Sequence, residues 1–207
     1  MLSAASEISL STMASRLQTW ILDKQLQDSQ LRDLSYTLAA RRSLHGWRSA
    51  IVAPDVQTLT EQLARVKPTK IPGGGASPPS VTFIFTGQGA QWHAMGRELL
   101  LSSSVFRDSI YTSSRLLKSW GSPWSLDEEL QRDDGHSRLG ESELAQPATT
   151  AIQVALVDLL SHVGIVPQRV CGHSSGEIGA AYAAGALSHE AALKVYVFIY
   201  HYISGYV

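Results

Sequence analysis

Cysteine is almost absent from this chain of 207 residues: Cys171 is the only one, so no internal disulfide can form. That fits a reducing, cytoplasmic setting. No apolar run is long enough to span a bilayer, and the Ser-rich start has no signal-peptide hydrophobic core, so no membrane partner is expected. Neither sign of charge dominates. Seventeen Lys and Arg face eighteen Asp and Glu, for a formal net charge of -1. That leaves no electrostatic footprint for nucleic acid. The seven histidines show no metal-ligand spacing, so no metal is expected. No internal repeat is visible. What is present is a composition 44% hydrophobic and 17% charged, as in a globular chain with a real core.

The most informative stretch is Gly172-His173-Ser174-Ser175-Gly176. A short apolar lead, Val166 to Cys171, precedes it, and an Ala-rich helical run, Ile178 to Ala186, follows. Gly-x-Ser-x-Gly between strand and helix is the pattern of a nucleophile elbow. Small residues let the chain turn sharply, and the turn lifts the serine hydroxyl clear of the sheet. The Ser175 N–H then lies at a helix start, where unpaired donors and the dipole favour an oxyanion. The bare pattern also fits a turn between core elements with no chemistry; the flanks favour the elbow. Cys171, in the strand before the turn, is expected to be a small buried hydrophobe.

Upstream, the apolar spacing predicts helices over 8–26 and 29–40, a strand from Ala50 to Ala53 and a helix over 56–66 capped by Asp55. This α-α-β-α block, residues 1–66, carries no catalytic cluster. Its arginine pairs read as a solvated face or a docking surface. Residues 67–80, rich in Pro and Gly, read as an unpaired linker. Val81 to Phe85 reads as a strand covered on both faces. It leads into Gly87-Gln88-Gly89, which is no dinucleotide fingerprint, since Trp92 stands where a third glycine would fall. Nor is it a phosphate loop, because no Lys-Ser/Thr follows. A tight turn exposing backbone N–H groups at a strand's carboxyl end remains. Helices are expected over 104–120, from Glu141 to His162 with Pro147 in the first turn, and from His189 to Val195 after a Ser188 cap. The order is that of an α/β domain over 81–207.

Three motifs together resemble the acyltransferase domain of fungal, iterative type I polyketide synthases, a family similar to malonyl-CoA:acyl-carrier-protein transacylases. They are Phe85 to Trp92, Ala145-Gln146-Pro147-Ala148, and Gly172 to Glu177 continued through Leu187. Leu34 to Leu38 and Arg41 to Arg48 resemble the linker between ketosynthase and acyltransferase domains. The resemblance covers about residues 27–195 and implies a partial α/β-hydrolase-like large subdomain after a small α+β linker domain.

It further implies that Ser174 is the nucleophile, taking malonyl from a coenzyme A thioester and passing it to the phosphopantetheine thiol of an acyl carrier protein. No bound cofactor is implied. The backbone N–H groups of Gln88 and Ser175 would form the oxyanion hole, Gln146 would line the acyl pocket and His173 would form a pocket wall. The partners implied are the carrier protein and a ketosynthase domain.

Two family features have no counterpart here. Ile199 stands where the family has an arginine for the malonyl carboxylate, and the family's downstream histidine base and its ferredoxin-like subdomain fall beyond the sequence. His201 does not lie in the family's motif. Residues 196–207 are atypical, either divergent or out of frame through an unspliced intron or a frameshift, so the chain is expected to be an N-terminal fragment that transfers acyl groups poorly alone. A serine esterase sharing Gly-x-Ser-x-Gly is the alternative enzyme, and a non-catalytic interaction piece the alternative to an enzyme.

Overall fold

The computed structural model describes residues 1–71 and 80–195. The expected tail with Ile199 and His201, and most of the Pro/Gly stretch, lie outside the described residues. The chain divides into two compact units, Met1–Pro78 and Pro79–Val207.

In the first unit, a three-stranded antiparallel sheet of order β1-β2-β3 is formed by β1 (Leu2–Ala4), β2 (Trp47–Ser49) and β3 (Thr69–Lys70). Helix α1 (Glu7–Asp23) starts where the Ser6 side chain accepts from the Ser9 N–H. It buries Leu10, Ala14 and Ile21, which lie on one stripe of a 3.6-residue period. Helix α2 (Leu31–Ala40) and helix α3 (Val56–Leu63) add Leu34, Leu38, Leu59 and Leu63 to the same core. Asp55 caps α3, accepting from Thr58 N–H at 2.7 Å.

Two expectations for this unit are corrected. The strand predicted at Ala50–Ala53 lies earlier, at Trp47–Ser49, and Val52 is 86% exposed. Apolar content does not place a strand; partners do, here Leu2–Ala4 on one side and Thr69–Lys70 on the other. The stretch 67–80 is also not unpaired throughout. Arg48 pairs with Thr69, and Ile71 N–H donates to Gly46 C=O at 2.7 Å. Pro68 precedes the strand, where its missing N–H removes no ladder bond.

In the second unit, β4 (Thr82–Phe85) pairs in parallel with β5 (Arg169–Gly172), with Phe83 opposite Val170 and Phe85 opposite Gly172. Between them run α4 (Arg97–Ser102), α5 (Ser104–Ser119), α6 (Leu126–Glu129) and α7 (Ser142–His162); α8 (Gly176–Ala183) and α9 (189–195) follow β5. The core lies between α5 and α7: Phe106, Ile110 and Leu117 meet Leu144, Ala148, Ala151 and Ala155. The short α4 and α6 had no sequence signal strong enough to separate them from turns.

Side chains alternate across β4 and β5. Phe83, Phe85 and Val170 pack with Val157 of α7 and Ala180 of α8. The opposite face holds the register partners Ile84 and Cys171; Ile84 is 77% exposed and Cys171 is exposed. The expectations of a buried Cys171 and of a strand covered on both faces are therefore corrected: a period of two puts both residues on the face that no described element covers. The elbow strand also starts later than Val166, because Pro167 cannot donate to a ladder and Val166 is exposed. Pro147 is corrected too. Glu141 is the N-cap, so Pro147 falls in the second turn of α7 rather than the first, where it leaves the Glu143 carbonyl without its helical donor.

Candidate active site

The turn after β5 is held by backbone bonds, one to the end of β4 and two within the turn. His173 N–H donates to Phe85 C=O at 3.1 Å, Gly176 N–H to His173 C=O at 3.0 Å, and Glu177 N–H to Ser174 C=O at 3.0 Å. Within it Ser174 has φ 55°, in the left-handed region. A side chain there costs about 1–2 kcal/mol, and it persists only because the surroundings over-determine it. Ser174 and His173 are both exposed.

Three glycines show how tightly the turn is set. A Cβ on Gly172 would lie 2.5 Å from the backbone N and Cα of Glu177. One on Gly176 would collide with the carbonyls of Phe85 and Thr86. One on Gly87 would lie 2.7 Å from the His173 carbonyl oxygen and 3.0 Å from Ser174 Cβ. The end of β4 and the turn after β5 thus touch, Gly87 lying against the His173 carbonyl and Ser174 Cβ.

The predicted residues fall around this contact. Gln88 follows Gly87, and Gln146 Nε2 donates to Gln88 Oε1 at 2.8 Å. Ser175 is the N-cap of α8. Among the described residues, neither the Gln88 nor the Ser175 backbone N–H donates to a protein acceptor. Ser174, Ser175, His173, Gln88 and Gln146 are therefore gathered at one end of the two strands. The Gln88 loop and the α8 N-terminus present free donors beside an exposed hydroxyl, an arrangement that can receive the oxyanion of an attacked carbonyl.

Three of the four other described histidines of this unit are engaged elsewhere. His189 Nε2 meets Ser113 Oγ at 2.8 Å, His93 Nε2 meets Arg132 C=O at 3.0 Å, and His136 meets Asp133 at 2.6 Å. Among the described residues no group of three potential metal ligands occurs, and no helix is long and apolar enough to cross a membrane.

Sequence reasoning missed the tie behind the elbow helix. Asp158 of α7 accepts from Tyr182 Oη of α8 and from Ser109 Oγ of α5, the latter at 2.7 Å. Burial, then the Asp158 carboxylate, pushes the Tyr182 phenol well above its usual range. Asp158 looks like a polar exception on α7, and nothing in the sequence marks Tyr182 on the next helix as its partner. It also missed Gln153, whose Nε2 donates to the Thr86 carbonyl at 2.8 Å.

Comparison with known proteins gives the family. The family described as "Acyl transferase domain" matches residues 82–203, and "CurL-like, PKS C-terminal" matches residues 1–63. The chain is 53% identical over 194 residues to the highly reducing polyketide synthase ltbA of Aspergillus luteorubrus, covering 94% of this chain and 6% of that protein. It is 51% identical over 201 residues to the highly reducing polyketide synthase sdnO of Sordaria araneosa, covering 93% of this chain and again 6% of the relative. The chain thus spans a small fraction of the curated relatives it matches. Among solved structures, the acyl transferase domain of ZmaA superposes with TM-score 0.81 at 30% identity, over 93% of this chain and 45% of that one. The acyltransferase domain from module 8 of the salinomycin polyketide synthase gives TM-score 0.72 at 30% identity, over 94% and 47%. With the acyltransferase match covering more than half its residues, the chain belongs to the acyltransferase-domain family of polyketide synthases.

Proposed function

We propose that Ser174 carries a malonyl-type acyl group from coenzyme A to an acyl carrier protein. Ser174 Oγ attacks the thioester carbonyl, whose oxygen becomes an oxyanion facing the Gln88 and Ser175 N–H groups. The carbon–sulfur bond breaks, the coenzyme A sulfur takes the proton lost by the hydroxyl, and an ester on Ser174 remains. The phosphopantetheine thiol of the carrier protein then attacks that ester and restores the hydroxyl. Gln146 and His173 line the acyl side of the site. The 81–195 region supplies part of an α/β-hydrolase-like large subdomain, and residues 1–66 form the linker that docks on a ketosynthase domain.

The single observation that carries this reading is the close approach of Gly87 to Ser174, a serine held at positive φ, which supports the Gln88 and Ser175 N–H groups as the oxyanion donors. A thioester and a carrier thiol are favoured over simple ester hydrolysis because the Gln88 loop belongs to the acyltransferase motif. The test is coenzyme A release from malonyl-CoA with and without a carrier protein. One equivalent of release without the carrier protein, further release only with it, and loss of both in Ser174→Ala support transfer. Equal cleavage of an aryl ester with no thioester preference would assign a hydrolase instead.

A further inference from the structure

Helix α7 presents two glutamines, Gln146 and Gln153, to the loop that carries Gln88. They are seven residues apart, so they share one face, about 10.5 Å apart along the axis. Gln146 holds the Gln88 side chain, while Gln153 holds the backbone two residues before it, at the Thr86 carbonyl, 2.8 Å away.

The Gln153 amide has only one orientation available. A carbonyl oxygen accepts, so Nε2 must face Thr86, and Oε1 must point the other way. On that side Oε1 is buried and has no hydrogen-bond partner among the described residues. It lies against Gly179 of α8, where a Cβ would come within 2.5 Å of it and 2.8 Å of Phe85 Cδ1. A lone buried acceptor is destabilising, so a residue chosen for core stability alone would be apolar here. What the amide gives in return is a clamp. Phe85 C=O is taken by His173 N–H of the elbow, and the next carbonyl, Thr86, by Gln153. Successive carbonyls are thereby fixed to the elbow and to α7, which holds the Thr86–Gly87 peptide plane, the one directly before the plane that carries the Gln88 N–H.

We propose that Gln153 is a positioning residue for acyl transfer: by clamping the Thr86 carbonyl it aims the Gln88 N–H at the oxyanion. This rests on the reading of Ser174 as nucleophile. Gln153 touches no substrate and acts through the backbone of residues 86–88.

The test uses the full chain with Gln153→Met, similar in length but with no donor, and Gln153→Glu, which donates only when protonated. Amide 15N relaxation reports the order of the Gly87 and Gln88 N–H groups without requiring turnover. Gln153→Met is expected to lower their order parameters from about 0.85 to below about 0.6, with α5 amides unchanged. Gln153→Glu is expected to show the same loss at high pH and recovery as the buried carboxyl protonates. In single-turnover acylation, the maximal rate of Gln153→Met falls about tenfold or more while the half-saturating malonyl-CoA concentration stays within about twofold. Unchanged order at Gly87 and Gln88 overturns the proposal. So does loss of order shared by α5 in both variants, which would make Gln153 a plain core residue. A Ser174→Ala chain that still acylates would overturn the nucleophile reading instead, leaving the relaxation result to decide the clamp.

Discussion

Replacing Gly87 with alanine tests the meeting of the two motifs most sharply. The added methyl would start 2.7 Å from the His173 carbonyl oxygen and 3.0 Å from Ser174 Cβ. Comfortable contacts for such atoms are about 3.5 Å, so the loop and the elbow must separate by roughly 0.5–1 Å. Neither obstacle is the end of a flexible side chain. One is backbone, and the other is a Cβ whose position is set by the backbone of Ser174. The strain is expected to cost about 1–3 kcal/mol of stability, as for other overpacked sites. The larger effect should be chemical. The displacement falls on the residue before the Gln88 donor, and misplacement by about 1 Å can cost on the order of 100-fold in rate. Thermal melting and single-turnover acylation of Ser174 by malonyl-CoA measure the two effects separately. A Gly87→Ala chain with unchanged Tm and acylation rate would refute the claim that Gly87 packs against the nucleophile.

Other expectations follow from the same contacts. Gly172→Ala sets a methyl against the Glu177 backbone at 2.5 Å and should destabilise by more than about 2 kcal/mol in urea unfolding. Ser174→Gly should abolish acylation yet melt higher than Ser174→Ala, by the equivalent of about 1 kcal/mol, because only glycine relieves the φ of 55°. Asp158→Asn, which weakens the acceptor shared by Tyr182 and Ser109, should cost about 1–3 kcal/mol; equal stability to the parent would remove its role in anchoring α8. Burial pushes His189 below the ordinary imidazole value of 6.5, against a smaller upward pull from Asp158. The unfolded chain therefore takes up this proton first. Stability is full above about pH 6.5, declines as pH falls through that value, and levels off below the folded pKa. Urea midpoints across pH 7.5–5 should fall less in His189→Gln than in the parent.

The elements that could be read from the sequence are those whose signal is local. The stripe of α7 and the Asp55 cap are decided within one or two turns, and the glycines around Ser174 mark an elbow together with their apolar and Ala-rich flanks. Apart from the position of Pro147 and the late start of the elbow strand, the misplacements concern long-range partners. Trp47–Ser49 is a strand because Leu2–Ala4 and Thr69–Lys70 flank it, and none of these segments is distinctive alone. Cys171 and Ile84 look like core residues by type, but strand alternation and the direction of the helical layer put both on the open face. At the site, Ser174, Gln88 and Gln146 belong to motifs and could be named in advance. Asp158 and Gln153 could not, because their partners lie on other elements.

The most direct test of the account is to locate the acyl group. Prolonged incubation of the chain with radiolabelled malonyl-CoA, followed by proteolysis and peptide mapping, should place a slowly formed ester on Ser174 that hydroxylamine releases and a phosphopantetheine thiol accepts. Label on Cys171 or on another hydroxyl, with the Ser174 peptide unmodified, would contradict the assignment of this elbow as the acyl-transfer site.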